Sequence, residues 1–288
     1  MRNLIYLTDL SAPALEPYVK MGEGQLVHAF HDRPGLFIAE SPKVIERALR
    51  AGYQPASFLV EEKALERDLS ALDDEMATNN KRRWEQTPVY VVRSELIRQL
   101  AGYNLLKGVL AVMYRVQRPG LADFLAALSG DHPRIAVLES VVNPANVGAI
   151  FRSAAALGIN GVIVTSDSAD PLYRRSSRVS MGTVFQVPWT YLDAHQWQDE
   201  GIHLLHRFGY QTAAMALRHN TIAIDDPRLD KVGKLAIILG AEGPGLRETT
   251  IDQSDFTIKI PMADGVDSLN VAAASALAFW ELGPRQQK

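Results

Sequence analysis

The sequence predicts an α/β protein of two domains, and three observations carry that expectation. Short apolar, β-branched runs alternate with helical patterns along the chain. Two of these runs, 135–141 and 161–165, bracket a helical stretch, a strand–helix–strand unit that implies a parallel pair. The length of 288 residues accommodates about two domains at roughly 150 residues each.

The elements follow in order. Strand-like runs fall at 36–39, 57–60, 89–92 and 109–114. Ser41-Pro42 is expected to cap a helix over 43–51, because serine accepts orphan amide bonds and proline fits the first turn. A helix over 62–76 sets Leu65, Leu69, Leu72 and Met76 on one face at spacings of three and four. Residues 1–115 thus read as a small α/β domain. The turn signal Gln117-Arg118-Pro119-Gly120 opens a linker over 116–133 that carries a short helix at 121–128. The second domain, 134–288, begins with the 135–141 strand and a helix that starts after Asn143-Pro144 and ends at Gly158. Further strands are expected at 161–165, 211–217, 234–239 and 256–260, and a final helix at 269–282.

Composition removes several functional classes. At 47% hydrophobic and 22% charged residues the chain reads as globular. The absence of cysteine excludes disulfide scaffolds, thiolate metal sites and cysteine nucleophiles. A net charge of −3 argues against a general polyanion binder, so any nucleic acid must be met by local basic patches. Lys81-Arg82-Arg83-Trp84 and the run from Tyr173 to Arg178 mix cations with aromatics in that way. The seven histidines show no metal-binding spacing, and no metal is expected. With Asp9 where a signal peptide needs apolar residues, and no apolar run near the ~20 residues of a span, a cytoplasmic protein without membrane contact is expected.

Three segments could carry chemistry. Residues 143–158 place Asn143, Asn146, Gly148 and Arg152 along the start of a helix directly after a strand, where α/β proteins form ligand crevices. A capping asparagine, a packing glycine and a surface arginine would look the same. Residues 239–246 (LGAEGPGL) surround Glu242 with glycines that permit unusual dihedrals and close approach to a ligand. Their order is neither a dinucleotide fingerprint nor a P-loop. Residues 258–282 end a strand at Pro261, carry Asp264, Asp267, Ser268 and Asn270 in a loop, and enter a helix apolar almost all round, which a second subunit could cover.

Taken together and in this order, the segments resemble the three motifs of the SpoU/TrmH family, RNA ribose 2′-O-methyltransferases of the SPOUT superfamily. The first motif matches Asn146-Val147-Gly148-Ala149-Ile150-Phe151-Arg152, the second Gly240-Ala241-Glu242-Gly243, and the third Ile260-Pro261-Met262 with Ser268-Leu269-Asn270-Val271. Arg178-Val179-Ser180-Met181-Gly182 is similar to the family's Ser-x-Gly segment. Ala241 stands where Asn or Ser is frequent, and Ser41 where Gly is commoner.

The resemblance implies a C-terminal trefoil-knotted domain with a parallel sheet, preceded by a small α/β RNA-binding domain similar to a ribosomal-protein fold. It implies S-adenosylmethionine as cofactor, ribosomal or transfer RNA as partner, and a homodimer built on the final helix and the helix after Asn143. Asn146, Arg152, Glu242, Ser268 and Asn270 match catalytic positions, and Thr165, Leu239, Gly240, Glu242, Gly243, Ile260, Met262, Ser268 and Leu269 match cofactor positions. Deprotonating Arg152 at neutral pH would cost roughly 7 kcal/mol, so a phosphate grip is preferred to a general-base role. The alternative is a catalytically degenerate RNA-binding protein of the same fold, against which the intact motif residues argue.

Overall fold

The computed structural model describes residues 2–32, 34–96, 108–128, 130, 132–218, 220–265 and 268–284, with the side chains of 74 and 77–83 excepted. The side chains of Lys81, Arg82 and Arg83, and residues His219 and Asp267, lie outside the described set. The chain divides into two compact units, Met1–Gln117 with Leu172–Gln186, and Arg118–Pro171 with Val187–Lys288.

In the first unit, β1 (Asn3–Leu7), α1 (Glu16–Val19) and α2 (Glu23–Val27) precede β2 (Leu36–Glu40), α3 (Pro42–Arg50) and β3 (Pro55–Glu61). Then come α4 (Leu65–Gln86), β4 (Pro88–Val92) and β5 (Val109–Tyr114). The five strands form a mixed sheet in the order β1-β4-β3-β5-β2, with β5 antiparallel to both its neighbours. Leu65, Leu69, Leu72 and Met76 are buried along one face of α4, as their spacing predicts. The helix continues past Met76 to Gln86 because nothing breaks it before Thr87-Pro88, where the proline disfavours helical backbone in the preceding residue. Ser41 corrects an expectation. It makes no capping hydrogen bond and sits at φ +85°, a left-handed conformation that glycine adopts without strain.

The second unit holds α5 (Leu121–Ala127), β6 (Arg134–Leu138), α6 (Pro144–Ala156) and β7 (Gly161–Thr165). After α7 (Arg174–Val179), which belongs to the first unit, it resumes with β8 (Trp189–Leu192), α8 (Ala194–Arg207), β9 (Tyr210–Met215) and β10 (Ile222–Ala223). β11 (Lys234–Leu239), α9 (Glu248–Gln253), β12 (Phe256–Lys259) and α10 (Val271–Leu282) complete it. Seven parallel strands run in the order β10-β12-β9-β11-β6-β7-β8. Every residue of β6 and β7 is buried, as expected for central strands covered on both faces. β6 stops at Leu138, short of Val141, because Ser140 turns the chain at φ +56°. The last helix begins at Val271, with Asn270 as its cap.

The segment Leu172–Gln186 clusters with the first unit, although it lies within the span expected to form the C-terminal domain. Arg174 donates from Nε to Glu40 Oε2 at 2.8 Å, and the Phe185 ring centroid lies 5.8 Å from Phe37 and 5.2 Å from Tyr53. Among the described residues no helix is long and apolar enough to cross a membrane.

What this fold positions is the centre of the seven-stranded sheet. β6 and β11 are adjacent and parallel, and Leu138 lies in register with Leu239 at their carboxyl ends. The chain leaves β6 toward α6 and leaves β11 into the glycine-rich turn, while β7 and β9 flank the pair on opposite sides. Such a point, where successive connections diverge, opens a crevice at the strand ends.

Candidate active site

Asn143 caps α6, its Oδ1 accepting from the Ala145 amide at 2.9 Å, with Pro144 in the first turn. This asparagine is structural. Asn146, buried in that first turn, accepts at Oδ1 from Asn270 Nδ2 at 3.3 Å, while its own Nδ2 is buried with no partner among the described residues. Asn270 does two jobs. Its Oδ1 accepts from the Ala272 amide at 2.9 Å and caps α10, and its Nδ2 also donates to Glu242 Oε1. An aspartate or serine could cap the helix, yet only an amide also supplies the donors that join the first and second motifs.

The turn over residues 240–246 folds back on itself, the Gly245 amide donating to the Ala241 carbonyl at 3.1 Å. A Cβ on Gly240 would lie 2.5 Å from Gly245 C and Leu246 N, so the first glycine is required by the backbone that crosses it. Beside this turn lies a cavity of about 350 Å³. It is lined by Met215, Leu239, Gly240, Ala241, Glu242, Gly243, Gly245, Ser268, Leu269, Asn270, Val271 and Ala274.

Six residues with expected cofactor roles therefore meet at one cavity: Leu239, Gly240, Glu242, Gly243, Ser268 and Leu269. Thr165, Ile260 and Met262 are not among its lining residues. Thr165 is buried at the end of β7, its hydroxyl 3.1 Å from Leu138 O and accepting from the Ser140 amide at 3.1 Å. It braces the β6–α6 loop. Met215, Val271 and Ala274 line the cavity without belonging to the polar and glycine pattern that sequence reasoning follows. Val271 closes the third motif, whereas the only signal for Met215 and Ala274 is position, at the end of a strand beside β11 and near the start of α10.

Arg152 is exposed further along α6 and has no hydrogen-bond or ion-pair partner among the described residues. Among the described residues nothing pairs with its guanidinium, and Arg152 does not line the cavity. Near the end of the turn, Arg247 donates from Nη2 to Asp167 Oδ2 at 3.0 Å. Burial pushes the Asp167 pKa up, but hydrogen bonds from Ser140 and Thr165 and the Arg247 charge outweigh it and hold the carboxyl below its ordinary value. No group of three or more acidic or histidine side chains is arranged to hold a metal among the described residues. A separate cavity of about 440 Å³ around Arg134 and Leu282 contains none of the motif residues.

The parallel α/β sheet, with the glycine turn and bridging amides gathered at its central strand ends and Arg152 exposed further along α6, is that of an RNA methyltransferase of the SpoU type. The sequence model of the SpoU rRNA Methylase family matches residues 133–280, and the chain belongs to that family. It is 36% identical over 248 residues to an uncharacterized tRNA/rRNA methyltransferase of Mycobacterium bovis, covering 85% of this chain and 80% of that protein. It is 32% identical over 170 residues to the 23S rRNA (guanosine-2′-O-)-methyltransferase RlmB of Escherichia coli, covering 57% of this chain and 65% of that one. In fold it is similar to an AdoMet-bound rRNA methyltransferase from Sinorhizobium meliloti, with a TM-score of 0.76 at 21% identity over 97% of both chains. The methyltransferase AviRb from Streptomyces viridochromogenes, also bound to AdoMet, gives 0.70 at 21% identity over 93% of this chain and 94% of that one.

Proposed function

We propose that this protein methylates a ribose 2′-hydroxyl of structured ribosomal or transfer RNA, with S-adenosylmethionine as methyl donor. The observation that carries the reading is the Asn146–Asn270–Glu242 bridge beside the glycine cavity, with Asn146 Nδ2 left buried and unpaired among the described residues. A buried polar atom without a partner is costly, so its retention points to a ligand atom that completes it. The cavity volume suits a small-molecule cofactor, and the glycines of the turn let main-chain groups approach it. The residues present fit S-adenosylmethionine, which supplies an electrophilic methyl on a positively charged sulfur.

Each side chain then has a task. Leu239, Gly240, Gly243 and Leu269 hold the cofactor, and Glu242 shapes the pocket and orients Asn270. Ser268 and the Asn146–Asn270 pair orient the ribose hydroxyl, while Arg152 grips an adjacent phosphate and polarises that hydroxyl. Residues 1–115 select the RNA, helped by the exposed Arg175 and Arg178 of α7. Both the order of β9, β11 and β6 and the packing of α10 on α6 support the trefoil knot expected from the family. The exposed Leu277 and Trp280 on α10 support a homodimer through that helix.

Calorimetry with S-adenosylhomocysteine in EDTA, together with ribose-methylation mapping of total RNA from a deletion strain, tests the proposal. Binding and the loss of one methylated ribose are expected. Binding with no lost methyl group would indicate a degenerate RNA-binding protein, and no binding at all would refute the cofactor assignment.

A further inference from the structure

Glu139, the residue after β6, is 1% exposed and carries a carboxylate that the proposed chemistry does not use. Its backbone amide donates to the Leu239 carbonyl at 2.9 Å, at the start of the glycine turn. Its Oε1 accepts from the Arg247 amide at 2.7 Å, at the end of the same turn. Its Oε2 accepts from Trp197 Nε1 and from Thr250 Oγ1, each at 2.6 Å. One residue therefore spans the turn, its main chain on one end and its side chain on the other. Among the described residues its carboxylate is met by these three donors and by no cationic side chain, the Arg247 guanidinium being directed to Asp167. Burying a carboxylate is expensive, and three donors converging on it are what make the burial tolerable.

We propose that Glu139 is a positioning residue for cofactor binding: it fixes the separation of the two ends of the turn and so the width of the cavity that residues 239–245 line. This rests on the reading that the turn holds S-adenosylmethionine. The alternative is that the carboxylate only anchors α8 and α9 through Trp197 and Thr250.

The donor pattern supplies the test. In Glu139→Gln the side chain keeps one accepting atom for donors on two sides. Its oxygen is best used facing Trp197 and Thr250, which turns the amide nitrogen toward the Arg247 N–H and breaks the bond at the end of the turn. Trp197→Phe removes the indole donor. In the double variant the oxygen can return to Arg247 N–H while the nitrogen donates to the Thr250 hydroxyl.

Affinity for S-adenosylhomocysteine is measured by calorimetry on the full chain for wild type, E139Q, W197F, E139Q/W197F and Gly240→Ala, with thermal midpoints recorded alongside. E139Q is expected to bind about tenfold more weakly, the equivalent of one lost hydrogen bond, with kcat at saturating cofactor close to wild type. E139Q/W197F is expected to bind as tightly as W197F. Wild-type affinity in E139Q, or no recovery in the double variant relative to E139Q, overturns the proposal. Should E139Q fail to fold, the comparison of E139Q/W197F with W197F decides, equal affinity supporting the role and a tenfold deficit refuting it. Unchanged affinity in G240A shows that the turn is not the cofactor site and removes both readings together. Weakened binding in G240A alone removes only the role of Glu139.

Discussion

Asn270 donates from Nδ2 to Asn146 Oδ1 at 3.3 Å across 124 positions of sequence, while its Oδ1 caps α10. The two ends of one amide can be separated by mutation. Asn270→Asp keeps the acceptor for the Ala272 amide and is as good a cap as asparagine, so the thermal midpoint is expected to stay near wild type. The same change removes the donor and sets a second carboxylate beside Glu242. Methyl transfer is expected to fall about 10²-fold, by analogy with the loss of one preorganised donor. Asn270→Ala should lose both properties, with about 1 kcal/mol of stability gone through the cap. Wild-type turnover in the Asn270→Asp variant would show that the bridge is dispensable.

Much of the fold was legible because the central strands are buried on both faces and so appear as continuous apolar runs. β8 and α8 were not legible. In α8, Gly201 reads as a helix breaker, yet a Cβ there would lie 2.2 Å from Trp197 Cε3, so the glycine is present to let the indole lie along the helix. Likewise no local signal shows that Phe185 packs on Phe37 and Tyr53 in the first unit, since that docking is tertiary. At the site, Asn146, Glu242 and Asn270 stood out by their place at a helix start, in a glycine turn and in a loop, and the motif match gave them roles. That one amide caps a helix and joins two motifs depends on where three separate segments meet. Nor does local sequence show that the Thr165 hydroxyl, expected to face a cofactor, also braces the β6–α6 loop, since its partners Leu138 and Ser140 lie 25 to 27 positions away.

The helix α10 buries Val271, Ser275, Ala278, Phe279 and Leu282, and leaves Leu277 at 45% and Trp280 at 71% exposure, three residues apart on one side. If a second copy covers them, the wild-type protein sediments at twice the 31.8 kDa chain mass. Leu277→Glu with Trp280→Glu should then give a folded monomer, because neither side chain is part of the core of a single chain, with a thermal midpoint lowered by the lost association. A wild-type monomer at micromolar concentration would rule the dimer out.

Asp255 accepts from the Thr212 amide at 2.7 Å and hydroxyl at 2.8 Å, and lies 2.9 Å from His206 Nε2. Burial pushes its pKa up, but the bonds from Thr212 and the contact with His206 outweigh that and hold it below the ordinary 3.8. With the folded pKa depressed, the stabilisation is fully present above the unfolded value and is lost as pH falls through the folded one. Thermal midpoints measured from about pH 6 down to about pH 3 should therefore fall more steeply for wild type than for Asp255→Asn. The variant should also begin lower at the upper end. Parallel curves would mean that this carboxylate contributes nothing to acid lability.

Arg152 offers a choice between two chemistries that a mutant series can separate. Its guanidinium is exposed and unpaired among the described residues, as a phosphate grip requires. Under that account Arg152→Lys keeps the charge but loses the planar fork, so activity should fall severely without vanishing. Arg152→Ala should cost more, about 10²–10³-fold by analogy with removing one oxyanion donor. Cofactor affinity should barely change in either variant, because the residue lies outside the cavity lining. If arginine were instead the base, lysine, with the lower intrinsic pKa, would retain activity with a shifted pH–rate profile. Single-turnover rates against pH for both variants decide between them. A lysine enzyme that approaches the wild-type rate at high pH would refute the phosphate grip, whereas a uniformly slow lysine enzyme with an unshifted profile would exclude the base.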